Sequence, residues 1–285
     1  MKNTQIQRIH RVCDYISQHL DTELSLNLLS EVACCSKYHF HRLFNAAVGV
    51  SVIKYTQFSR FKRASYRLAF EHDKRVIDIA FEAGFDSPEA FSRAFKRLFN
   101  QTPSSFRSQP NWPNWHTQFE FNTPDLKVKS MKVEIIDFAA QPVALLTHKG
   151  AHNTLLNTAA NFIAWRKSSG LSPVKTSKTF GIPYSDPAIT PDDEFRFDFA
   201  GSVEQTIPDN RYGVRNGEIP AGRCAVVRHL GSHDKISDSV YYLYQQWLAN
   251  NNEDVRDFPC FFHYLNLIHQ VDECDLITDI YLPIK

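Results

Sequence analysis

At 285 residues, 43% of them hydrophobic and 22% charged, the chain has room for two domains with separate cores, and its composition excludes a disordered or fibrous protein. The net charge of +1 hides an asymmetry: residues 1–110 carry 16 Lys and Arg against 10 Asp and Glu, whereas residues 111–285 carry 16 against 21. A basic front half suits a polyanionic partner, and neither half suits a membrane, because no stretch approaches the roughly 18 apolar residues of a spanning helix.

The N-terminus has no apolar signal core, so a cytoplasmic protein is expected. The six cysteines form no Cys-x-x-Cys pair and read as reduced thiols. Ile6, Ile9, Cys13, Ile16 and Leu20 define a leading amphipathic helix. Residues 25–55 then align with 76–106 at a constant offset of 51, with identities at Glu31/Glu82, Ser36/Ser87, Phe40/Phe91, Arg42/Arg93 and Phe44/Phe95. Each copy reads as a short helix, a tight turn, a capped second helix and a break. In the second copy Gly84 permits the turn and Ser87-Pro88-Glu89 starts the next helix with a cap, a residue suited to the first turn and a charge that complements the helix dipole. Phe91, Ala94, Phe95 and Leu98 share one stripe, while Glu89, Arg93, Lys96 and Arg97 point the other way. In the first copy Tyr38, His39, Arg42 and Asn45 lie outside a stripe of Phe40, Leu43, Phe44 and Ala47. Ser51 to Glu71 reads as a connecting helix whose Lys54, Arg60, Lys62, Arg63 and Arg67 include some phosphate contacts. Cys34, Cys35, His39 and His41 crowd together, but two histidines two apart on a helix diverge by about 200° and cannot ligate one ion, so neither metal nor cofactor is expected.

Residues 5–108 resemble the AraC-type DNA-binding domain. The match runs Leu26-x-x-Leu29-x-x-x-Ala33-x-x-Ser36-x-x-x-Phe40-x-Arg42-x-Phe44, then Ile79-Ala80-x-x-x-Gly84-Phe85-x-Ser87-x-x-x-Phe91-x-Arg93-x-Phe95-Lys96, and Thr102-Pro103-x-x-Phe106-Arg107. The resemblance implies two recognition helices in successive major grooves of double-stranded DNA, about 34 Å apart. It assigns base contacts to Lys37, Tyr38, His41 and Arg42 in the first helix, and to Pro88, Glu89, Ala90 and Arg93 in the second, where Arg93 is the main reader. Lys96 and Arg97 extend the second face, and RNA polymerase is a further expected partner.

Residues 109–127 read as a linker whose Trp112 and Trp115 pack against something. Beyond it a second repeat appears at an offset of 81: Val143–His152 matches Cys224–His233, with Trp165 and Trp247 one residue out of register. Each copy reads as a strand, a Gly turn, a helix (154–169 and 235–250) and two further strands. The fold class is therefore multidomain: an all-α domain (1–108) with two helix-turn-helix units, the linker, then an α+β domain (128–285) of two β-α-β-β repeats in a mostly antiparallel sheet with both helices on one side. His148, His152, His229 and His233 are read as structural strand-end and turn residues.

Residues 131–285 resemble the gyrase-inhibitor-like (GyrI-like) effector-binding domain through Phe180-Gly181-Ile182-Pro183-Tyr184, Phe195-Arg196-Phe197-Asp198, Gly217-Glu218-Ile219-Pro220 and Thr278-Asp279-Ile280-Tyr281-Leu282-Pro283. The resemblance implies a small-molecule effector, here an aromatic one, in a cleft between repeats; Tyr184, Tyr242, Trp247, Phe262 and Tyr264 are the candidate lining. An acidic residue of the family falls at Phe262, and the small Gly181 opposite leaves room, so neutral aromatic ligands are expected over cations. The chain reads as a ligand-modulated transcription regulator and not an enzyme. Two alternatives stay open: a C-terminal protein-interaction module, and a small-molecule hydrolase, for which no nucleophile–base pair is apparent.

Overall fold

The computed structural model describes residues 3–119 and 131–285. The chain divides into two compact units, one of the N-terminal part together with Ile268–Cys274, the other of the remaining C-terminal part.

The first unit is helical: α1 (Asn3–Gln18), α2 (Leu26–Val32), α3 (Lys37–Val48), α4 (Val52–Phe70), α5 (Val76–Glu82), α6 (Pro88–Phe99), α7 (Pro103–Ser108) and α8 (Trp112–His116). Ser25, Ser36, Ser51, Ser87 and Thr102 each cap the helix they precede by accepting a backbone N–H. Ile9, Val12, Ile16, Leu29, Phe40, Phe44 and Val48 close the first helix-turn-helix around one core. The second closes on α4, where the Phe61 ring lies 5.5–6.1 Å from those of Phe85, Phe91, Phe95 and Phe99. The beginning of the expected linker belongs to this unit as α8, because Trp112 and Trp115 are buried against Tyr66, Phe70 and Phe106. Residues 120–127 of that expectation lie outside the described residues.

The duplication is real, but its register is not constant. The first helices correspond at an offset of 50: Ala33 N–H to Leu29 C=O, Cys34 to Glu31 and Cys35 to Ser30 are repeated by Ala83 to Ile79, Gly84 to Phe81 and Phe85 to Ala80. From the capping serines onward the offset is 51, through the left-handed C-caps Gly49 and Asn100. The second turn therefore holds one extra residue, and the Glu31/Glu82 identity joins positions that are not equivalent.

The second unit is an eight-stranded antiparallel sheet, ordered β1-β6-β8-β7-β3-β4-β2-β5. Its strands are β1 (Val133–Phe138), β2 (Gln141–Lys149), β3 (Thr179–Pro183), β4 (Arg196–Ser202), β5 (Arg215–Ile219), β6 (Gly222–Leu230), β7 (Phe261–Tyr264) and β8 (Ile277–Pro283). The edge strands β1 and β5, absent from the sequence reading, extend each repeat and exchange partners: β1 pairs with β6, and β5 with β2. Helix α9 (Leu155–Ser169) and its counterpart, α10 (Ile236–Tyr241), a π-helical turn (Tyr242–Trp247) and α11 (Leu248–Asn251), pack on the same face of the sheet. The π turn accommodates one extra residue, which accounts for the slip of Trp247 and for left-handed caps at Gly170 and Asn252, 82 apart.

Both repeats pin helix to sheet identically. His148 Nδ1 lies 2.8 Å from Thr158 Oγ1, and His229 Nδ1 lies 2.8 Å from Ser239 Oγ. Each Nε2 donates to a turn carbonyl, of Ala151 or Ser232, so the neutral ring accepts from the hydroxyl. Burial lowers the pKa of His229 below 6.5. The stability it contributes is complete above its unfolded pKa and is lost as pH falls through the lower folded value. We expect a lower Tm at pH 5.5 than at pH 7.5, and a shallower dependence in His229→Gln. Burial also lowers His152 and His263, so the slope should shrink without vanishing; an unchanged slope would show that His229 is not linked to folding.

Candidate functional site

Burial of the phenylalanine stripes decides which sides of α3 and α6 face water. Phe40, Phe44, Phe91 and Phe95 are fully buried, and at 100° per residue this turns Arg42 and Arg93 outward at equivalent positions. Lys37, His41, Arg42, Glu89, Arg93, Lys96 and Arg97 are all exposed, whereas Pro88 and Ala90 are half-buried. The side chain of Tyr38 lies outside the described residues. Arg93, Lys96 and Arg97 have no ion-pair partner among the described residues, so their charges are available to a polyanion. The first turn of α6 offers no cationic donor before Arg93, in contrast to α3, which begins with Lys37.

Most basic residues of α4 are used inside the unit. Arg60 donates to the carbonyls of Leu20 (2.9 Å) and Thr22 (2.7 Å), and Arg63 to Asp21 (2.6 Å) and the Glu82 carbonyl (2.8 Å). Arg67 pairs with Glu82, and Lys62 is buried. These groups were expected to include phosphate contacts; instead Arg60, Arg63 and Arg67 tie α4 to both helix-turn-helix units, since the helix is inward-facing along most of its length. Lys54 remains exposed, its Nζ 5.1 Å from the Phe58 ring centroid.

In the second unit α9 contacts β2 and β4, and α10 contacts β6, which places the central strands β3 and β7 between the two helices. Phe262 is buried there with Phe195, Phe197, Leu243 and Ile280, and Trp247 and Tyr264 pack against the same cluster. Tyr242 follows on the π turn, its hydroxyl donating to Met131 C=O (3.3 Å). Burial pushes the Tyr264 hydroxyl well above its usual pKa. The room expected over Gly181 is occupied: a Cβ there would lie 2.5 Å from both the Phe197 ring and the Tyr264 hydroxyl. Tyr184 is apart from these four. It follows Ile182 on the opposite face, where the Arg196 guanidinium covers its ring at 3.8 Å and Arg196 and Arg215 flank the buried Asp198. Phe197, which the sequence reading did not single out, closes over Gly181 together with Tyr264. Among the described residues no three His, Cys, Asp or Glu side chains are arranged to hold a metal ion.

Duplicated capped helices with outward arginines, followed by a two-repeat α+β unit, define a helix-turn-helix DNA-binding protein with a second, ligand-domain-like unit. Comparison with known proteins specifies the class. A helix-turn-helix domain model matches residues 29–109, and the GyrI-like small molecule binding domain matches residues 131–285. The chain belongs to the GyrI-like family, joined to an AraC-type helix-turn-helix domain, and is a DNA-binding transcriptional regulator, not an enzyme. It is 49% identical over 155 residues to the probable transcriptional regulator YgiV of Escherichia coli (strain K12), covering 54% of this chain and 97% of that protein. It is 26% identical over 202 residues to the transcriptional regulator Rob of Salmonella typhimurium, covering 68% of each. Among solved structures, EcmrR in the EcmrR–DNA complex in EcmrR-RPo aligns with 91% of this chain and 98% of its own at 14% identity and a TM-score of 0.47. No helix among the described residues is long and apolar enough to cross a membrane.

The turn before α6 generates a stability prediction. Gly84 has φ +78°, and a Cβ there would lie 2.6 Å from Arg60 Nη1, a group held by two carbonyls. Gly84→Ala should destabilise the protein by about 1–2 kcal/mol from the left-handed backbone alone, and more if Arg60 must release its acceptors. Thermal unfolding followed by circular dichroism measures this; an unchanged Tm would mean that the turn relaxes without cost.

Proposed function

We propose that this regulator reads promoter DNA through α3 and α6 in successive major grooves, with its output on RNA polymerase set by an aromatic small molecule held in the second unit. The observation that carries the reading is the pair of outward arginines, Arg42 and Arg93, equivalent on two helices whose inner faces are locked by phenylalanine. Lys37, Tyr38, His41 and Arg42 read one half-site; Arg93 reads the other beside Glu89, with Lys96 and Arg97 on phosphate. In the second unit Trp247, Phe262, Tyr264 and Tyr242 form the aromatic side of the groove, and Tyr184 belongs to a different surface. The protein works in the cytoplasm, where DNA and effector are both accessible.

One observation favours the second reading, a protein-interaction module: Phe197 and Tyr264 already fill the space over Gly181. The two readings diverge in a calorimetric titration with small aromatic compounds, since only an effector groove responds.

For the DNA face, genomic selection of bound fragments followed by footprinting should define two half-sites separated by about one helical turn. Arg42→Ala and Arg93→Ala should each cost about 1–3 kcal/mol on that site and relax base preference at one half-site only. Lys96→Ala should instead weaken binding to all sequences and reduce the salt dependence by about one ion. An arginine variant that loses affinity uniformly across sequences would make that arginine a phosphate contact.

A further inference from the structure

The second unit holds a buried positive charge with no negative partner. Arg166, in the last turn of α9, is 2% exposed. Its guanidinium donates to three neutral acceptors: the Ser172 carbonyl, Thr179 Oγ1 at 2.7 Å and, at 3.5 Å, the Ser177 carbonyl. No carboxylate pairs with it among the described residues, and burial alone lowers its pKa to about 10. A guanidinium has five N–H groups, so two remain beyond these three bonds. Beside it the Ser172 hydroxyl, in a fully buried residue, has no hydrogen-bond partner. Buried charges in proteins are ordinarily paired, because the desolvation of an isolated ion is not returned by neutral contacts. Arg166 lies in the last turn of α9, where the negative end of the helix offsets part of this cost.

The position relates this charge to the groove. Thr179 opens β3 and pairs directly with Tyr264 on β7, so the hydroxyl that Arg166 holds is the cross-strand neighbour of a groove residue. The other repeat has no such cation. Allowing for the one-residue slip of the π turn, Leu248 stands where Arg166 does, which makes Arg166 a departure from the internal symmetry.

We infer that the groove of the second unit takes an aromatic ligand bearing a carboxylate or similarly sized anion, with Arg166, Ser172 and Thr179 as its anion site. This rests on the proposed effector reading and adds the sign of the ligand's charge. The arrangement supplies what an anion needs: a cation already desolvated, two unfilled N–H groups and a hydroxyl free to donate. It also matches the groove's lack of an acid at Phe262.

Isothermal titration of the full-length protein with three compounds of one ring system, 2-naphthoate, 2-naphthamide and 2-naphthylmethylammonium, tests it. The carboxylate should bind about tenfold or more tighter than the amide, the scale of a charge-assisted hydrogen bond, and the ammonium weakest. Arg166→Gln should abolish the preference and Arg166→Lys should retain part of it. Ser172→Ala, which leaves the charge in place, should narrow it and serves if Arg166→Gln does not fold. Amide or ammonium binding as tight as the carboxylate in the wild type would overturn the anion site while leaving the effector groove intact. A carboxylate preference that survives in both Arg166→Gln and Ser172→Ala would overturn the assignment to these residues. If none of the three compounds binds, the effector reading itself fails, and the inference with it.

Discussion

The proposed DNA-facing surface depends on one packing constraint, the burial of a phenylalanine pair one helical turn apart on each of α3 and α6. Phe91 and Phe95 are held by the ring of Phe61 on α4, which also touches Phe85 and Phe99; aromatic pairs of this kind add about 0.5–1.5 kcal/mol each beyond their buried area. Once those rings are inside, Arg93 has no choice of side, and the same holds for Arg42 opposite Phe40 and Phe44. The face proposed to meet DNA is thus specified by residues that point away from it. The ionic bonds of α4 act in the same direction: Arg60 and Arg63 fasten the connecting helix to Leu20, Asp21, Thr22 and Glu82, and so relate the two recognition helices through a single rigid element.

Much of this was legible in the sequence, and what was not has definite physical causes. Helices α1, α3 and α6 carry strong apolar periodicity, which sets their outer faces, and α3, α4 and α6 begin at side-chain caps. The turn was harder, because a one-residue insertion between Gly84 and Ser87 changes the offset from 50 to 51 while chance identity at Glu31/Glu82 conceals it. The basic residues of α4 resemble a solvated face when written in one dimension; their acceptors are carbonyls and carboxylates up to 209 residues away, which no periodicity reveals. Strands β1 and β5 were missed because both lie at sheet edges with mostly exposed side chains, so neither shows the alternation that marks a half-buried strand. His148 and His229, by contrast, pin helix to sheet in the way their structural reading expects, and their repetition at 81 residues coincides with a strand end before a Gly turn. In the candidate groove, Trp247, Phe262 and Tyr264 come together as a strand register and a helix face foretell, whereas Tyr184 follows the alternation of β3 to the other side.

Internal duplication offers a way to separate residues that the fold requires from residues that it merely tolerates. Positions repeated in both halves of the second unit, such as His148 with Thr158 and His229 with Ser239, have a common structural task that either half would lose alone. Departures from the repeat have no such explanation, and three of them border one region. Phe262 stands opposite Gly181, a π turn replaces a plain helical turn before Trp247, and Arg166 replaces an aliphatic residue at Leu248. Two of them carry a cost that an exact repeat would avoid, the weaker helical geometry of the π turn and the desolvated charge of Arg166. Costs that accumulate at one place in a marginally stable domain are retained when something other than folding depends on them. The central strands between α9 and α10, where the proposed effector would lie, are therefore the part of this unit in which departures from the repeat gather.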